Sequence, residues 1–137
     1  MRTQAREAVL KLLFSKLFDN EADADFKKNI YNELKLDEDD KSFAEKLYTL
    51  SFNNFEEYSN RLGELSTGYS QQRIFKVDKC AMVIAMTEMN FFNDIPKVVS
   101  IDEAVKLVKK YSTESSVNFV NGILANYKNG FEVTKVD

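Results

Sequence analysis

The stretch "FVNGIL", residues 119–124, contains the signal that decides the fold class. Asn-Gly is typical of tight hairpin turns, because both residues tolerate positive φ. The apolar residues around it nevertheless occur in pairs four positions apart, Phe119 with Val120 and Ile123 with Leu124. A helix places both pairs on one face, whereas a strand would scatter them over two faces. The spacing therefore predicts a helix through this stretch.

Glycine is an unfavourable residue inside that predicted helix. It costs about 0.5–1 kcal/mol relative to alanine, because the unfolded chain loses more conformational freedom there. On a helical wheel Gly122 lies away from the apolar face and near Asn118 and Ala125. A close approach of another helix backbone, or of a ligand, would offset the cost. The sequence predicts such an approach at Gly122.

The composition extends the helical prediction to the whole chain. With 137 residues, 44% hydrophobic residues, four glycines and one proline, the chain has enough apolar side chains for a core and few turn signals. We predict a single all-α domain of two small helical bundles. The N-terminal bundle covers about 1–66, the C-terminal bundle about 69–128, and a flexible tail 129–137.

Periodicity and capping signals divide the chain into six predicted helices. The stretch "LDEDDKS", residues 36–42, places acids where they favour the start of a helix. "SIDE", residues 100–103, has the form of a capping box and predicts that a helix begins there. The predicted helices are about 3–18, 26–34, 43–65, 72–91, 101–111 and 116–128.

Composition also excludes several classes of function. The chain has no histidine, so it lacks the commonest general base and the commonest metal ligand. It has no G-x-G-x-x-G or Walker-type loop, and we predict no catalytic residues, no metal and no cofactor. Its one cysteine, Cys80, lies in the apolar run "KCAMVIAM" and predicts a buried thiol in a reducing, cytoplasmic environment. No segment is apolar for long enough to predict a membrane span.

Charge is distributed unevenly along the chain. Residues 1–18 carry four cations and one acid, whereas residues 19–45 carry ten acids and four lysines. Arg2 and Arg6 extend the apolar stripe of the first predicted helix toward its N-terminus. Cations oppose the helix dipole at that end, so helix stability alone does not select them. Two interpretations stay open for both arginines: their stems cover the edge of the core, or their guanidinium groups bind a ligand.

One acid lies within the most apolar predicted helix. Glu88 follows the run "CAMVIAM", where a carboxylate needs partners. We predict that backbone amides of residues 93–100 or a nearby hydroxyl supply them.

Longer motifs resemble a known family. "IPKVVSIDEAVKLVKKYSTESSVNFVNGIL", residues 95–124, resembles the C-terminal signature of the NusB family of transcription antitermination factors. "AREAVLKLLF", residues 5–14, is similar to the first helix of that family, and "RIFKVDKCAMVIAMTEM", residues 73–89, to its buried fourth helix. The resemblance covers nearly the whole chain, and 20–65 is its least distinctive part.

The resemblance implies the partners of the protein. It implies binding of single-stranded boxA-type RNA of ribosomal RNA leaders together with NusE, a small-subunit ribosomal protein, within the transcription elongation complex. It further implies a homodimer as a state of the free protein, and no membrane. It implies that Asp78 faces NusE. The residues that it implies for RNA binding are Arg2, Thr3, Arg6, Phe14, Lys79, Lys110, Ser115 and Asn118.

RNA binding by the first helix requires one spatial arrangement of its two arginines. The first helix must place Arg2 and Arg6 beside the serine-rich corner that precedes the last helix. With about four cationic contacts, RNA binding should weaken with salt with a slope of about −3. Two alternatives remain open: a protein-interaction module that binds NusE with little RNA binding, and a detached rRNA-recognition domain related to rRNA methyltransferases.

Overall fold

The computed structural model describes residues 1–18, 24–66 and 73–135, with side chains described as far as Phe131. All regular structure in these ranges is helical, which confirms the predicted all-α class. The helices are α1 (Arg2–Leu17), α2 (Ala24–Glu33), α3 (Glu38–Asn53), α4 (Phe55–Leu65), α5 (Lys76–Phe91), α6 (Lys97–Tyr111) and α7 (Glu114–Lys135). The predicted boundary between the two bundles falls largely on residues 67–72, outside the described residues.

Helix α5 lies at the centre of the core. Residues 80–86 are each no more than 1% exposed, because the helix is apolar on every side and must be covered on every side. Helices α1, α3, α4, α6 and α7 all pack against it. Burial raises the pKa of the Cys80 thiol to about 12, so the thiol stays protonated as predicted for a buried cysteine.

The relative directions of the helices follow from individual contacts. Helix α1 runs parallel to α3, since Arg2 stacks on Phe43 near one end of the pair and Lys16 approaches Phe52 at the other. Helix α5 runs antiparallel to α1, because the side chain of Arg6 meets that of Glu88 near the end of α5. The C-terminal end of α1 therefore lies near the start of α5, where Lys76 approaches the ring of Phe18. Helix α3 contacts the second half of α5, where the Ser51 hydroxyl donates to that of Thr87 at 3.2 Å.

Two predicted helix starts have different outcomes. The acidic stretch does cap a helix: Asp37 is the N-cap of α3, and its carboxylate accepts a hydrogen bond from the Asp40 amide at 2.8 Å. The capping box at residues 100–103 is wrong, because α6 begins at Lys97 after Pro96. Ser100 lies inside α6, and its hydroxyl donates to Glu88 rather than capping the helix.

Two other predicted boundaries are also wrong. The helix predicted over about 43–65 is two helices, separated at Asn54, whose side-chain amide donates to the Leu50 carbonyl at 2.8 Å. The last helix does not end near Lys128 but continues to Lys135. Packing supports this extension beyond Gly130, because the rings of Tyr127 and Phe131 meet edge to face at 5.3 Å.

Gly122 lies inside α7 as predicted, but the close approach expected there is absent from the described part of the chain. The residue is exposed, and a Cβ added to it would meet no atom within 4 Å. The cost of glycine in this helix is therefore not offset by packing against the described residues.

We expect Gly122→Ala to raise the free energy of unfolding by about 0.5–1 kcal/mol, because alanine restricts the unfolded chain and fits the helix without a clash. Urea denaturation of the two proteins measures the difference. An equal or lower stability of the alanine variant would show that Gly122 has a structural requirement that the helix geometry does not reveal.

Candidate functional site

The nine predicted site residues do not form one cluster. They lie in three groups along α1 and the helices that pack against it: at the N-terminal end of α1, where the C-terminal end of α6 meets α1, and around the start of α5.

At the N-terminal end of α1, Arg2 is half exposed and available to a ligand. Its guanidinium carbon lies 4.4 Å from the centroid of the Phe43 ring, and a guanidinium nitrogen lies 3.8 Å from a carboxylate oxygen of Asp94. Thr3 is directed toward α6 and donates its hydroxyl to Glu103 at 3.1 Å. Arg2 is thus the accessible cation of this group, whereas Thr3 joins α1 to α6.

Arg6 is buried, which corrects the prediction that it meets RNA. Its side chain is 4% exposed, and two of its nitrogens donate to the two carboxylate oxygens of Glu88 at 2.7 Å each. Ser100 donates to the same carboxylate at 2.9 Å, so the prediction of a hydroxyl partner for Glu88 is confirmed. A guanidinium held on both sides inside the core has no open face for a phosphate. Neither interpretation of Arg6 from the sequence included this ion pair.

In the second group, Lys110 is exposed but already has a partner. Its ammonium lies 2.5 Å from a carboxylate oxygen of Glu7, and the hydroxyl of Tyr111 donates to the same oxygen. Burial raises the pKa of Glu7, but the hydrogen bonds from Lys110 and Tyr111 outweigh it and the pKa is lowered. Glu7 is therefore a carboxylate that fixes the end of α6 against α1.

The third group surrounds a cavity of about 280 Å³ between the start of α5 and the start of α7. Asp78, in the first turn of α5, is only 2% exposed, and its Oδ1 atom has no hydrogen-bond partner among the described residues. A buried carboxylate oxygen without a donor is costly, so a donor from outside the described chain would be favourable here. The cavity is lined by Arg73, Ile74, Phe75, Asp78, Ser115, Ser116 and Phe119.

Three of the remaining predicted residues line this cavity or are close in sequence to residues that line it, and the fourth lies on α1. Ser115 and Asn118 are exposed in the first turns of α7. Lys79 follows Asp78 on α5 and is half-buried; burial and the neighbouring Lys76 lower its pKa. Phe14 is partly buried, and its ring packs on that of a second phenylalanine, Phe18, at 5.0 Å.

A set of exposed aromatic residues, one of which lines this cavity, was not predicted. Three phenylalanines are exposed at the ends of helices. Phe18 follows α1 and is 51% exposed, Phe52 lies at the end of α3 and is 44% exposed, and Phe75 precedes α5 and is 58% exposed. Lys76 and Lys16 approach the rings of Phe18 and Phe52 at 5.7 Å each. We call these five residues the aromatic patch. Exposed apolar patches of this kind mark interaction surfaces.

In the arrangement expected for Arg2, Arg6 and the serine-rich corner, the exposed position of Arg6 is wrong, because its guanidinium is buried against Glu88. Arg6 lies near Glu103 of α6, with 3.8 Å between a guanidinium nitrogen and a carboxylate oxygen. Ser112, where the corner begins, lies about 13 Å further along α6 at a rise of about 1.5 Å per residue. Glu7, which follows Arg6 on α1, contacts Lys110 and Tyr111, the two residues directly before the corner.

Taken together, the fold and these surfaces define a class of protein: an all-helical protein built around one buried helix, with a charged and aromatic surface suited to binding other macromolecules. The model of the NusB family matches residues 3–129. The chain belongs to the NusB family.

Individual relatives agree with this assignment. The transcription antitermination protein NusB of Alkaliphilus oremlandii is 33% identical over 126 residues, which cover 92% of this chain and 91% of the relative. The NusB protein of Desulforamulus reducens is 37% identical over 124 residues, which cover 90% of this chain and 86% of the relative.

Solved structures show the same fold. NusB of T. maritima superimposes with a TM-score of 0.78 and 32% identity, covering 92% of this chain and 89% of that one. A crystal structure of the antitermination factors NusB and NusE in complex with double-stranded RNA contains a chain that matches with a TM-score of 0.76 and 25% identity, covering 91% of this chain and 93% of that one. No helix among the described residues is long and apolar enough to cross a membrane.

Proposed function

We propose that this protein is a transcription antitermination factor that binds boxA-type RNA of ribosomal RNA leaders together with NusE, as part of the transcription elongation complex in the cytoplasm. It acts by binding and carries out no reaction of its own. Family membership and the names of the relatives support the process. The solved complex of NusB, NusE and RNA supports the two partners.

The observation that carries the protein partner is the cavity at Asp78. Among the described residues its buried carboxylate oxygen lacks a donor, and Phe18 and Phe75 of the aromatic patch provide apolar surface beside the start of α5. A cationic or amide group of NusE entering the cavity would satisfy Asp78, while the exposed rings of the aromatic patch would be covered at the same time. We therefore assign Asp78 to the NusE interface.

The proposed RNA contacts lie on the exposed parts of the other groups. Arg2, Lys110 and Lys79 would contact phosphates, while Phe14 supplies an aromatic ring. Hydroxyl and amide groups of Thr3, Ser115 and Asn118 complete the set. Arg6 is left out because it is buried against Glu88.

The burial of Arg6 also favours the second candidate, a module that binds NusE with little RNA binding. It removes one of the few cations available for phosphate contacts. With Arg2, Lys79 and Lys110 as the remaining cations, the expected salt slope falls to about −2, at roughly −0.7 per neutralised phosphate.

Fluorescence anisotropy with a labelled single-stranded boxA-type RNA, with and without NusE, tests both candidates. We expect RNA affinity to increase when NusE is present, and Arg2→Gln to reduce the salt slope by about 0.7. Lys28→Gln, an exposed lysine on α2, is the control and should leave the slope unchanged. NusE binding without RNA affinity would favour the second candidate, and the absence of both would contradict the proposed function.

A further inference from the structure

Tyr111 has surroundings that the predicted set of RNA contacts does not use. It is the last residue of α6, and 37% of it is exposed. The ammonium of Lys11 lies 5.8 Å from the centroid of its ring, and that of Lys110 lies 5.5 Å away. An exposed aromatic ring with two cations beside it combines the two features by which proteins bind single-stranded nucleic acid: a surface for stacking and charge for the phosphates.

The ring is held in place before any ligand binds. Its hydroxyl donates to the carboxylate of Glu7, which is 6% exposed and also accepts from Lys110. Since the hydroxyl end is anchored against α1, the exposed part of the ring keeps one orientation. A prearranged surface loses less conformational entropy when a ligand binds.

Four charged side chains surround the ring: the cations Lys11 and Lys110 and the acids Glu7 and Glu33. Glu7 balances Lys110, with which it forms an ion pair. Lys11 forms no ion pair with any carboxylate in the described ranges, 1–18, 24–66 and 73–135. Its long side chain can move from the ring toward a phosphate, so Lys11 is the cation of this cluster that can contact RNA.

Tyr111 also occupies the space between two groups of proposed RNA contacts. Arg2 lies near the far end of the contact between α1 and α6, and Ser115 lies just beyond Tyr111, across the turn to α7. A strand of RNA that reaches from one to the other passes along this contact. The position of Tyr111 thus links residues that the fold otherwise keeps apart.

We propose that Tyr111 is a stacking position for one unpaired base of single-stranded RNA, with Lys11 and Lys110 beside it to contact the adjoining phosphates. This inference rests on the proposed function, because it specifies how the same RNA is held.

The test compares two substitutions of Tyr111 in RNA titrations with the labelled single-stranded boxA-type RNA and NusE. Tyr111→Leu removes the ring and should weaken binding by about fivefold to a hundredfold, the range for loss of one stacked base. Tyr111→Phe keeps the ring and removes the hydrogen bond to Glu7 that orients it, so it should lose clearly less affinity than Tyr111→Leu. Phe26→Leu, a similarly exposed ring on α2, is the matched control and should behave like the wild type.

The possible outcomes separate this inference from the proposed function. If the wild type binds RNA and Tyr111→Leu binds it equally well, the stacking position is overturned and the proposed function is not affected. Equal losses in Tyr111→Leu and Tyr111→Phe overturn it as well, because they point to the hydrogen bond with Glu7 instead. Absence of wild-type binding overturns both.

A second variant keeps the test informative if circular dichroism shows that Tyr111→Leu does not fold. Lys11→Gln should make the salt dependence of RNA binding shallower by about 0.7 in slope, because one phosphate contact is lost. An unchanged slope would overturn the part of the proposal that concerns Lys11. If Tyr111→Leu cannot be used, the same result would overturn the whole proposal.

Discussion

Replacing Arg6 by methionine is expected to lower the free energy of unfolding by about 3–5 kcal/mol, the largest stability effect that we predict for a single substitution in this protein. The substitution leaves Glu88, 1% exposed, with a charge that only Ser100 still contacts among the described residues. An unpaired buried carboxylate must lose its charge or open the structure to water. Urea denaturation followed by circular dichroism measures the loss.

The double variant Arg6→Met/Glu88→Met separates the cost of an orphaned charge from the loss of packing. Replacing both members of a buried ion pair by apolar residues of similar size is often neutral or stabilising. We therefore expect the double variant to recover most of the stability that Arg6→Met loses. Equal instability of the single and double variants would contradict this explanation.

Arg61→Met is the matched control for the single variant. Arg61 also pairs with a glutamate, Glu64, at 2.8 Å, but both side chains are about half exposed. Exposed pairs contribute about 0–1 kcal/mol, so this substitution should change stability little.

For Asp78→Asn we expect opposite effects on NusE binding and on stability. Loss of the charge should weaken NusE binding by at least about 30-fold, corresponding to the 2 kcal/mol or more for removing one member of a buried charge pair at an interface. The free protein should be as stable as the wild type or more stable by about 1 kcal/mol, because a buried carboxylate oxygen without a donor is no longer charged. Isothermal titration calorimetry with NusE and urea denaturation give the two values.

Asp25→Asn is the control for this pair of measurements. Asp25 is likewise an acid in the first turn of a helix, α2, but it is exposed. It should affect stability by a few tenths of a kcal/mol through the helix dipole and leave NusE binding unchanged. A loss of stability in Asp78→Asn equal to its loss of binding would mean that Asp78 supports the fold rather than the interface.

The elements that could be predicted from the sequence are those with a single physical requirement. The run at residues 80–86 is apolar on every side, and only a central position buries it. Acids at the start of a helix favour its N-terminus, and Asp37 is the N-cap of α3. Both predictions used local periodicity or local hydrogen bonding, which the chain itself displays.

The elements that could not be predicted depend on partners far away in the sequence. Ser100 and Glu103 have the spacing of a capping box, but Glu88 and Thr3 provide alternative hydrogen bonds that the local sequence does not show. Arg6 and Glu88 were each noticed as unusual, yet a separation of 82 residues concealed that they pair with each other. The start of α6 and the partner of Arg6 both depended on contacts between residues far apart in the sequence.

The candidate site was predictable only in part for a related reason. The resemblance indicated Asp78, and the structure adds the cavity and the unpartnered oxygen. Phe18 and Phe75 gave no signal, because a phenylalanine in an apolar helical sequence is normally assigned to the core. Their positions at the end of α1 and just before α5, each close to a lysine, are the feature that could have identified them.

The contact between Arg6 and Glu88 has a consequence for synthesis of the protein. During translation the first helix leaves the ribosome well before residue 88 has been added to the chain, so its guanidinium has no carboxylate to bind during that interval. Burial of α1 in its final form must follow the emergence of α5, because the ion pair and the central apolar helix arrive together. The nascent protein thus completes its core late, and its first helix is among the last elements to reach its final packing.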